Sequence, residues 1–363
     1  MRRAFKFFTL LFFFACLTMF GQQKNFVIED ELIGKNYFVN SVRVQITQEL
    51  INIIDNDRSI INIPIKGAKY LEFSPSNKFF IISNYQFSAD KKDYPSSYFV
   101  FNAEGEKIFE YADSSPYDLP HAIHAVNDIG TLALFDPLTF QLNLIDANNK
   151  RTIKLEKEIP FEMERASFIA MRSNFVFVSA SVKPTDITDN SSNVILYKID
   201  INSLSVEKTN LELSIPTALY AGESELAAAG VKYNDSKIYH SLKLISEELE
   251  IKKEYEISAE EIYSYNGVYF TRFADKIIKL ENGNTSEYKF EDGNRVTDLF
   301  VDINGIHALV KVNNKASIYK LSRNFDVDFY ISLNNFESEN LTEINSKVGK
   351  YVLLQSGKTF IIN

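Results

Sequence analysis

The stretch Leu71–Ser83, Leu-Glu-Phe-Ser-Pro-Ser-Asn-Lys-Phe-Phe-Ile-Ile-Ser, has the pattern of a strand, a tight turn and a second strand. Serine, proline and asparagine favour a turn in the middle, and the apolar run after it suits a buried strand. Weaker copies of this unit recur along the chain at a spacing of roughly forty residues, a period typical of repeats built from small sheets. The sequence therefore predicts a repetitive all-β fold.

Short strand-like runs follow one another from Lys24 to the end of the chain, separated by clusters of Asn, Asp, Ser, Gly or Lys. They form seven groups of four and a last group of three, and we expect Asn25–Glu29 to supply the missing outer strand. Such closure removes exposed sheet edges. The pattern predicts one β-propeller domain, residues 22–363, with seven or eight four-stranded blades and eight favoured. Tandem β-sandwiches are the alternative.

Three turns carry a resemblance to a known family. Phe73–Lys78 is similar to the Phe-Ser-Pro-(Asp/Asn)-Gly-Lys turn between the first two strands of a blade in WD-repeat and related bacterial β-propellers. Asn127–Gly130 and Asp302–Gly305 occupy the same place in later units. The chain lacks the Trp-Asp and Gly-His dipeptides of that family, so the resemblance implies the fold and transfers no catalytic residue.

The first residues have the pattern of a targeting segment. A basic start, Met1–Lys6, precedes the apolar run Phe7–Phe20, which at about 14 residues is too short to span a bilayer and suits a signal peptide. Gly21 is a small residue at a suitable cleavage point. We therefore expect residues 1–21 to be a signal peptide and the protein to be exported to the periplasm, the cell surface or the medium, with no transmembrane helix after cleavage.

The single cysteine, Cys16, lies inside that segment. Lipid attachment at Cys16 is disfavoured, because Phe13 replaces the usual leucine and the apolar run Leu17–Phe20 follows where a lipoprotein becomes polar. Without Cys16 the chain has no disulfide, no thiolate nucleophile and no cysteine-based zinc site.

Composition narrows the classes of partner. The formal net charge is −9, which disfavours nucleic acids and anionic membranes because both require clustered cations. Hydrophobic residues make up 45% of the chain, enough for a large core, and 30 Phe with 19 Tyr favour strands. We expect a protein partner, or a small-molecule or glycan ligand, and no nucleic acid.

Motifs for catalysis are missing. Gly357-Lys358-Thr359 imitates the tail of a phosphate-binding loop, but no glycine stands where the loop would begin and no helix can follow. Gly222–Glu225 lacks the closing glycine of a serine-hydrolase elbow. A Ser-His-Asp triad assembled from distant strands stays open, since geometry rather than sequence defines triads.

Histidines and acidic loops are the remaining candidates for a metal. His121 and His124 point to opposite faces if they lie on a strand, which disfavours joint binding of a metal, and His240 and His307 are interpreted as hydrogen-bonded packing residues. Asp186 and Asp189 could hold Ca²⁺, although the glycine and closing glutamate of a calcium loop are missing. We expect no cofactor, with Ca²⁺ as the one metal considered.

Loop lengths give the argument for a binding face. The connections Gln86–Ser97 and Lys183–Asn193 are long, and in a propeller they would share one face with the link Ala112–Pro120. Long loops on a rigid scaffold often carry function. The predicted face is acidic and bears tyrosines; the alternative is tolerated insertions with solvated charges. The residues predicted to form this face are Asp90, Asp93, Tyr94, Tyr98, Asp113, Tyr117, Asp118, His121, Asp186 and Asp189.

Three classes of function remain. The sequence favours an exported β-propeller that binds or scaffolds in a bacterial envelope or outside the cell. The alternative is a secreted hydrolase or lyase on the same scaffold, using carboxylates and perhaps Ca²⁺, and a third class is a purely structural surface protein. An enzyme should show a pocket with shifted pKa values, and a scaffold an exposed apolar patch.

Overall fold

The computed structural model describes residues 22–55, 58–85, 94–115, 122–137, 139–155, 167–182, 193–222, 224–234, 237–334, 336, 341–347, 349–355 and 357–363. Within these ranges the elements of regular secondary structure are 33 β-strands. Sheet pairing groups them into eight sheets, which we number as blades 1 to 8 in chain order. The signal peptide predicted for residues 1–21 lies outside the described residues.

The contacts of the chain divide it into two compact units. The five-blade unit, Asn36–Ile262, contains blades 1 to 5. Blade 1 has β3 Lys35–Val39, β4 Val42–Ile46, β5 Leu50–Asp55 and β6 Arg58–Pro64; blade 2 has β7 Ala68–Phe73, β8 Phe79–Tyr85, β9 Tyr94–Asn102 and β10 Lys107–Ser115; blade 3 has β11 Ile123–Val126, β12 Leu132–Asp136, β13 Gln141–Ile145 and β14 Lys150–Lys154. Blade 4 has β15 Ser167–Arg172, β16 Phe175–Val182, β17 Asn193–Asp200 and β18 Val206–Asn210; blade 5 has β19 Ile215–Ala221, β20 Leu226–Asn234, β21 Lys237–Ile245 and β22 Ile251–Tyr255.

The three-blade unit joins the chain up to Lys35 with Tyr263–Asn363. Blade 6 has β23 Glu261–Tyr265, β24 Val268–Phe273, β25 Lys276–Glu281 and β26 Asn284–Lys289; blade 7 has β27 Arg295–Asp302, β28 Gly305–Val312, β29 Lys315–Leu321 and β30 Val327–Ser332, with β1 Gln22–Lys24 added at its edge; blade 8 has β31 Leu341–Lys347, β32 Lys350–Gln355 and β33 Lys358–Ile362, completed by β2 Ile28–Ile33.

Apolar side chains fill the space between successive blades. Phe80, Phe99 and Phe101 of blade 2 pack with Val44 and Ile51 of blade 1, and all five are almost completely buried. The second strands β8 and β16 are buried along almost their whole length because neighbouring sheets cover both of their faces, whereas in outer strands such as β6 and β14 exposed residues alternate with half-buried ones. Blades therefore stack face to face through their central strands.

The first strands of neighbouring blades contact each other in blades 2 to 5 and in blades 7 and 8. In the five-blade unit, β11 contacts both β7 and β15, and β15 contacts β19, so the first strands lie side by side. In the three-blade unit β27 contacts β31 in the same way. Side chains on these strands that point between blades meet side chains from the next first strand.

The N-terminal segment completes the last blade, as predicted. β2 pairs antiparallel with β33, so the strand is Ile28–Ile33 rather than Asn25–Glu29. The shift arises because β1 pairs parallel with β30 of blade 7, and the residues between β1 and β2 cross from one blade to the next. The Thr359 hydroxyl donates to the carbonyl oxygen of Gly34 at 2.9 Å, which fixes the end of the added strand.

The three turns singled out in the sequence each join the first and second strands of a blade. In blade 2 the Ser74 hydroxyl accepts from the Phe79 N–H at 3.1 Å. In blade 3 the Asn127 Oδ1 accepts from the Thr131 N–H at 2.8 Å. In blade 7, Gly305 has a φ of +137°, and a Cβ there would meet the Leu321 carbonyl oxygen at 2.3 Å, so glycine is required.

Neighbouring turns are also tied to each other. Asp128 of the blade 3 turn accepts from the N–H and the hydroxyl of Ser76 in the blade 2 turn, at 2.9 and 2.8 Å. Asn127 donates from Nδ2 to the Ser173 carbonyl of the blade 4 turn at 2.8 Å. The turn residues thus hold successive blades in register as well as reversing the chain.

The architecture is all-β, and its eight four-stranded blades make it an eight-bladed β-propeller. The prediction of eight blades is confirmed, and the seven-bladed and tandem-sandwich alternatives are wrong. Among the described residues, no helix is long and apolar enough to cross a membrane.

Candidate functional site

A cleft of about 590 Å³ opens in the three-blade unit, beside blade 7. Its lining comes from the end of β27 and the turn that follows it, from β28, β29 and β30, from the added strand β1, and from the start of β32 with the turn before it. The lining side chains that the argument uses are Lys24, Asp302, His307, Lys320, Phe329 and Tyr351. A second depression, of about 490 Å³, shares Lys24 and Asn25 with this cleft.

The wall of the cleft holds a short hydrogen-bond chain. His307 Nδ1 lies 2.9 Å from the Tyr351 hydroxyl, and His307 Nε2 lies 3.2 Å from Asp302 Oδ1. The ring of Phe300 stacks on the imidazole with centroids 4.4 Å apart. The interpretation of His307 as a hydrogen-bonded packing residue is confirmed, because it is 5% exposed and both ring nitrogens have partners.

Burial and hydrogen bonds set the protonation states of His307 and Asp302. It lowers the pKa of His307, and the nearby Asp302 carboxylate only partly offsets that effect, so the imidazole is neutral. Burial alone would raise the pKa of Asp302, but the Asn304 N–H and His307 more than offset it, so the carboxyl stays ionised. Nε2–H therefore donates to Asp302, and Nδ1 accepts from the Tyr351 hydroxyl.

Lysines give the cleft its charge. The Lys24 ammonium lies 3.9 Å above the ring of Phe329. Lys320 pairs with Asp328 at 3.3 Å and also approaches the Phe329 ring, at 5.7 Å. Among the described residues, by contrast, no carboxylate forms an ion pair with Lys24. The cleft therefore combines an aromatic face with an ammonium group whose charge no described carboxylate balances.

This arrangement suits binding better than nucleophilic chemistry. Burial raises the pKa of Tyr351, so its hydroxyl stays protonated, whereas a tyrosine nucleophile would need a lowered pKa. The Asn304 amide and the lysines can donate hydrogen bonds to a ligand, whereas the Tyr351 oxygen can only accept one, because its O–H already donates to His307. We interpret the cleft as a site for a small polar ligand.

A second group of titratable side chains lies in the five-blade unit. His124 of β11 has Nδ1 3.3 Å from the Tyr85 hydroxyl and Nε2 3.5 Å from Glu72 Oε1 of β7. Burial lowers the pKa of His124 to about 4. The Glu72 side chain is 46% exposed, and the neighbouring protein atoms partly desolvate its carboxyl group, which raises the pKa of Glu72.

Most of the predicted binding face cannot be placed. The residues of that face that lie outside the described residues are Asp90, Asp93, Tyr117, Asp118, His121, Asp186 and Asp189, and of Tyr94 only the strand position in β9 is described. The possible calcium loop with Asp186 and Asp189 is among them. The acidic face and its Ca²⁺ remain predictions.

The two members with described side chains lie in different environments. Asp113 is exposed on β10, where it accepts from the Tyr111 hydroxyl at 3.4 Å. Tyr98 is 1% exposed and packs between blades 2 and 3, with its ring 6.2 Å from Tyr85 and 5.6 Å from His124. The expectation that Tyr98 lies on an exposed face is therefore corrected, because blade 3 covers that face of β9.

Sequence reasoning missed the cleft and the pairing of Glu72 with His124. A partial signal existed for the cleft, since the Asp302–Gly305 turn was singled out and places Asp302 and Asn304 on its lining. The strand interpretation around His124 is confirmed by β11. Nothing in the sequence pattern indicated that β7 would bring Glu72 beside it.

No protein-family model matches the sequence, and no curated protein sequence matches it. Several solved structures are similar to the chain in fold. Apo AztD from Citrobacter koseri has a TM-score of 0.55 at 12% identity, covering 88% of this chain and 96% of AztD. Sqt1 from Saccharomyces cerevisiae has a TM-score of 0.55 at 10% identity, covering 94% of this chain and 99% of Sqt1.

The WD40 domain of SCAP from fission yeast has a TM-score of 0.51 at 9% identity, covering 93% of this chain and 95% of that domain. At these identities the likeness concerns the fold alone. Together with the eight blades and their turns, it shows that the chain resembles WD40-like β-propellers at the level of the fold.

Proposed function

We propose that the protein is an exported binding module of the bacterial envelope or the extracellular space, and that its ligand is a small polar molecule with an anionic group, such as an acidic sugar. The observation that carries the proposal is the Lys24 ammonium over Phe329 in a cleft of about 590 Å³. No described carboxylate balances Lys24, so an anionic ligand would complete the site.

The cleft offers what such a ligand requires. A sugar ring presents an apolar face that can pack on Phe329 once the exposed Lys24 ammonium moves off that ring, while its hydroxyls can bond to the Asn304 amide and the Tyr351 oxygen. The carboxylate of an acidic sugar would then meet Lys24. Because Lys24 is exposed, solvent screens this contact, and we expect modest affinity that weakens with salt.

Support for export comes from the sequence. The basic start Met1–Lys6 and the apolar run Phe7–Phe20 have the pattern of a signal peptide. An enzymatic role receives less support, because the pKa of Tyr351 is raised by burial and no catalytic motif occurs in the sequence.

The binding proposal is tested by titrating the chain with matched sugars in a calorimeter. D-galacturonate and D-galactose differ by one carboxylate, and we expect the acid to bind at least tenfold more tightly at low salt. Lys24→Met should remove that preference, and Phe329→Ala should weaken both sugars. Lys358→Met is the matched control, because Lys358 is an exposed lysine of the same unit paired with Glu31.

Equal binding of the two sugars, or a preference that survives Lys24→Met, would refute the proposed ligand chemistry. Export is tested separately by expressing the whole chain with its own first residues and fractionating the cells. We expect the protein in the envelope or the medium with Gln22 at its N-terminus. Recovery in the cytoplasm with Met1 still attached would refute export and leave the binding result intact.

A further inference from the structure

Among the residues that the structure describes, no group forms a hydrogen bond with the buried ring nitrogen Nε2 of His124. The His124 side chain is 8% exposed, and Nε2 points toward Glu72. Buried polar atoms in native proteins almost always have a hydrogen-bond partner, because a buried atom without one has lost its hydrogen bonds to water and gained nothing in return. The unpaired Nε2 of His124 therefore needs a physical explanation.

His124 Nε2 lies 3.5 Å from Glu72 Oε1, and this distance can be compared with the spacing that a bound metal ion or a bound ammonium group would require. The two atoms make no hydrogen bond with each other. A zinc-like ion makes bonds of about 2.0–2.2 Å to nitrogen and oxygen, which at a tetrahedral angle puts the two ligand atoms about 3.4 Å apart. An ammonium group bonded to both at about 2.9 Å would put them about 4.7 Å apart.

The other ring nitrogen is already held in place. Nδ1 lies 3.3 Å from the Tyr85 hydroxyl, and when Nδ1–H donates to that oxygen, the lone pair of Nε2 faces Glu72. A hydrogen bond from the second ring nitrogen is the usual way in which proteins orient a metal-binding histidine. Tyr85 itself packs against the Tyr98 ring at 6.2 Å, so the support is embedded in the core.

We propose that Glu72 and His124 bind a divalent first-row transition-metal ion between the first strands of blades 2 and 3. Imidazole and carboxylate together suit such ions, whereas Ca²⁺ and Mg²⁺ prefer oxygen ligands alone. Among the described residues, no three His, Cys, Asp or Glu side chains gather to hold a metal. The described residues thus supply two ligands, Glu72 and His124, and in this proposal the other positions fall to water or to an added ligand, so the metal exchanges readily.

The test titrates the full chain, purified without a polyhistidine tag, with Zn²⁺ by calorimetry and with Co²⁺ by visible absorption. We expect one equivalent of metal, and a Co²⁺ spectrum that reports nitrogen ligation. Glu72→Gln and His124→Gln should each weaken binding at least tenfold. The matched controls are Glu110→Gln, an exposed carboxylate on blade 2, and His240→Gln, another histidine of the same unit, and both should bind as the wild type does.

Glu72→Gln keeps the proposal testable if His124→Gln fails to fold, because the Glu72 side chain is 46% exposed and its loss leaves the core intact. Far-ultraviolet circular dichroism checks the fold of every variant. Absence of Zn²⁺ and Co²⁺ binding at millimolar metal would overturn the proposal. So would binding that neither Glu72→Gln nor His124→Gln weakens relative to the two controls.

Discussion

Asn127→Ala should be among the most damaging single changes in the turns of this protein. Asn127 is fully buried between β11 and β12, with 0% exposure. Its Oδ1 accepts from the N–H groups of Thr131 at 2.8 Å and Ile129 at 3.2 Å, and its Nδ2 donates to the Ser173 carbonyl at 2.8 Å. The change removes three hydrogen bonds at once and leaves their partners in place.

A neutral hydrogen bond contributes about 1 kcal/mol net, and a partner left buried and unsatisfied costs about 1–3 kcal/mol. Partial relaxation of the turn lets some partners reach water, so we expect Asn127→Ala to lower the free energy of unfolding by about 3 kcal/mol. The matched control is Asn304→Ala in the equivalent turn of blade 7. Asn304 is exposed, and within the described part of the chain its side-chain amide bonds to Asp302 alone, at 3.3 Å, so Asn304→Ala should lower the free energy of unfolding by less than about 0.5 kcal/mol.

The assay is equilibrium unfolding in urea, followed by far-ultraviolet circular dichroism and by tyrosine fluorescence. Both probes are needed, because a chain with two compact units can unfold in more than one step. The reasoning from buried turn hydrogen bonds is refuted if the free energy of unfolding of Asn127→Ala lies within about 0.5 kcal/mol of the wild-type value. It is also refuted if Asn127→Ala lowers that free energy no more than Asn304→Ala does.

Three further predictions use the same urea assay. Burial alone would raise the pKa of Asp128, but hydrogen bonds from Ser74 and Ser76 outweigh burial and hold the pKa below its usual value of 3.8. The ionised carboxylate therefore stabilises the folded state above pH 3.8, and this stabilisation is lost as the pH falls through the folded pKa. Asp128→Asn should therefore destabilise at pH 7 and have little effect in strong acid. Gly230→Ala should lower the free energy of unfolding by more than about 2 kcal/mol, since the new Cβ would lie 2.5 Å from the Ile215 carbonyl oxygen. Gly267→Ala should lower it by about 1–2 kcal/mol, because Gly267 has open space around it and only its φ of +74° opposes a side chain. The free energy of unfolding of Lys243→Met should lie within about 1 kcal/mol of the wild-type value, because methionine keeps the packing of a side chain that is only 2% exposed. Lys243→Ala should lower it by about 2–4 kcal/mol, because alanine loses that packing.

Each of these has a contrary outcome. An Asp128→Asn deficit that is as large in strong acid as at pH 7 would show that the charge of Asp128 is irrelevant. Equal costs for Gly230→Ala and Gly267→Ala would show that strand β20 moves to make room. A large loss in Lys243→Met would show that the pair with Glu254, at 3.3 Å, stabilises the blade through charge.

The turns and the repeat were predictable because their causes are local. Ser74 and Asn127 cap their turns with their own side chains, a chemistry that can be recognised in the sequence. The number of blades was predicted by counting the groups of strand-like runs between such turns. The extra strand was also predictable, since three strands without a fourth require a partner, although its limits shifted to Ile28–Ile33 because β1 takes the preceding residues.

The site could not be predicted in the same way, because its residues come together only when blades pack. Lys24 meets Phe329 through the pairing of β1 with β30, and Glu72 meets His124 across two blades. Strand alternation tells which residues share a face of a sheet, but it does not tell which face a neighbouring sheet covers. That is why Tyr98 was expected on a binding face and lies in the core.

The pairing of β2 with β33 sets the order in which the chain can fold. Gly34 and Thr359, joined by a hydrogen bond, are 325 residues apart, so the last sheet must wait for the final strands to be synthesised. Contacts this distant in sequence slow folding, since the entropy of closing the chain is lost before the contact forms. Until then the strand Ile28–Ile33 has an unpaired edge that could pair with another chain. The strand Ile28–Ile33 must therefore be kept away from other chains throughout synthesis, and only the arrival of the last blade ends that exposure.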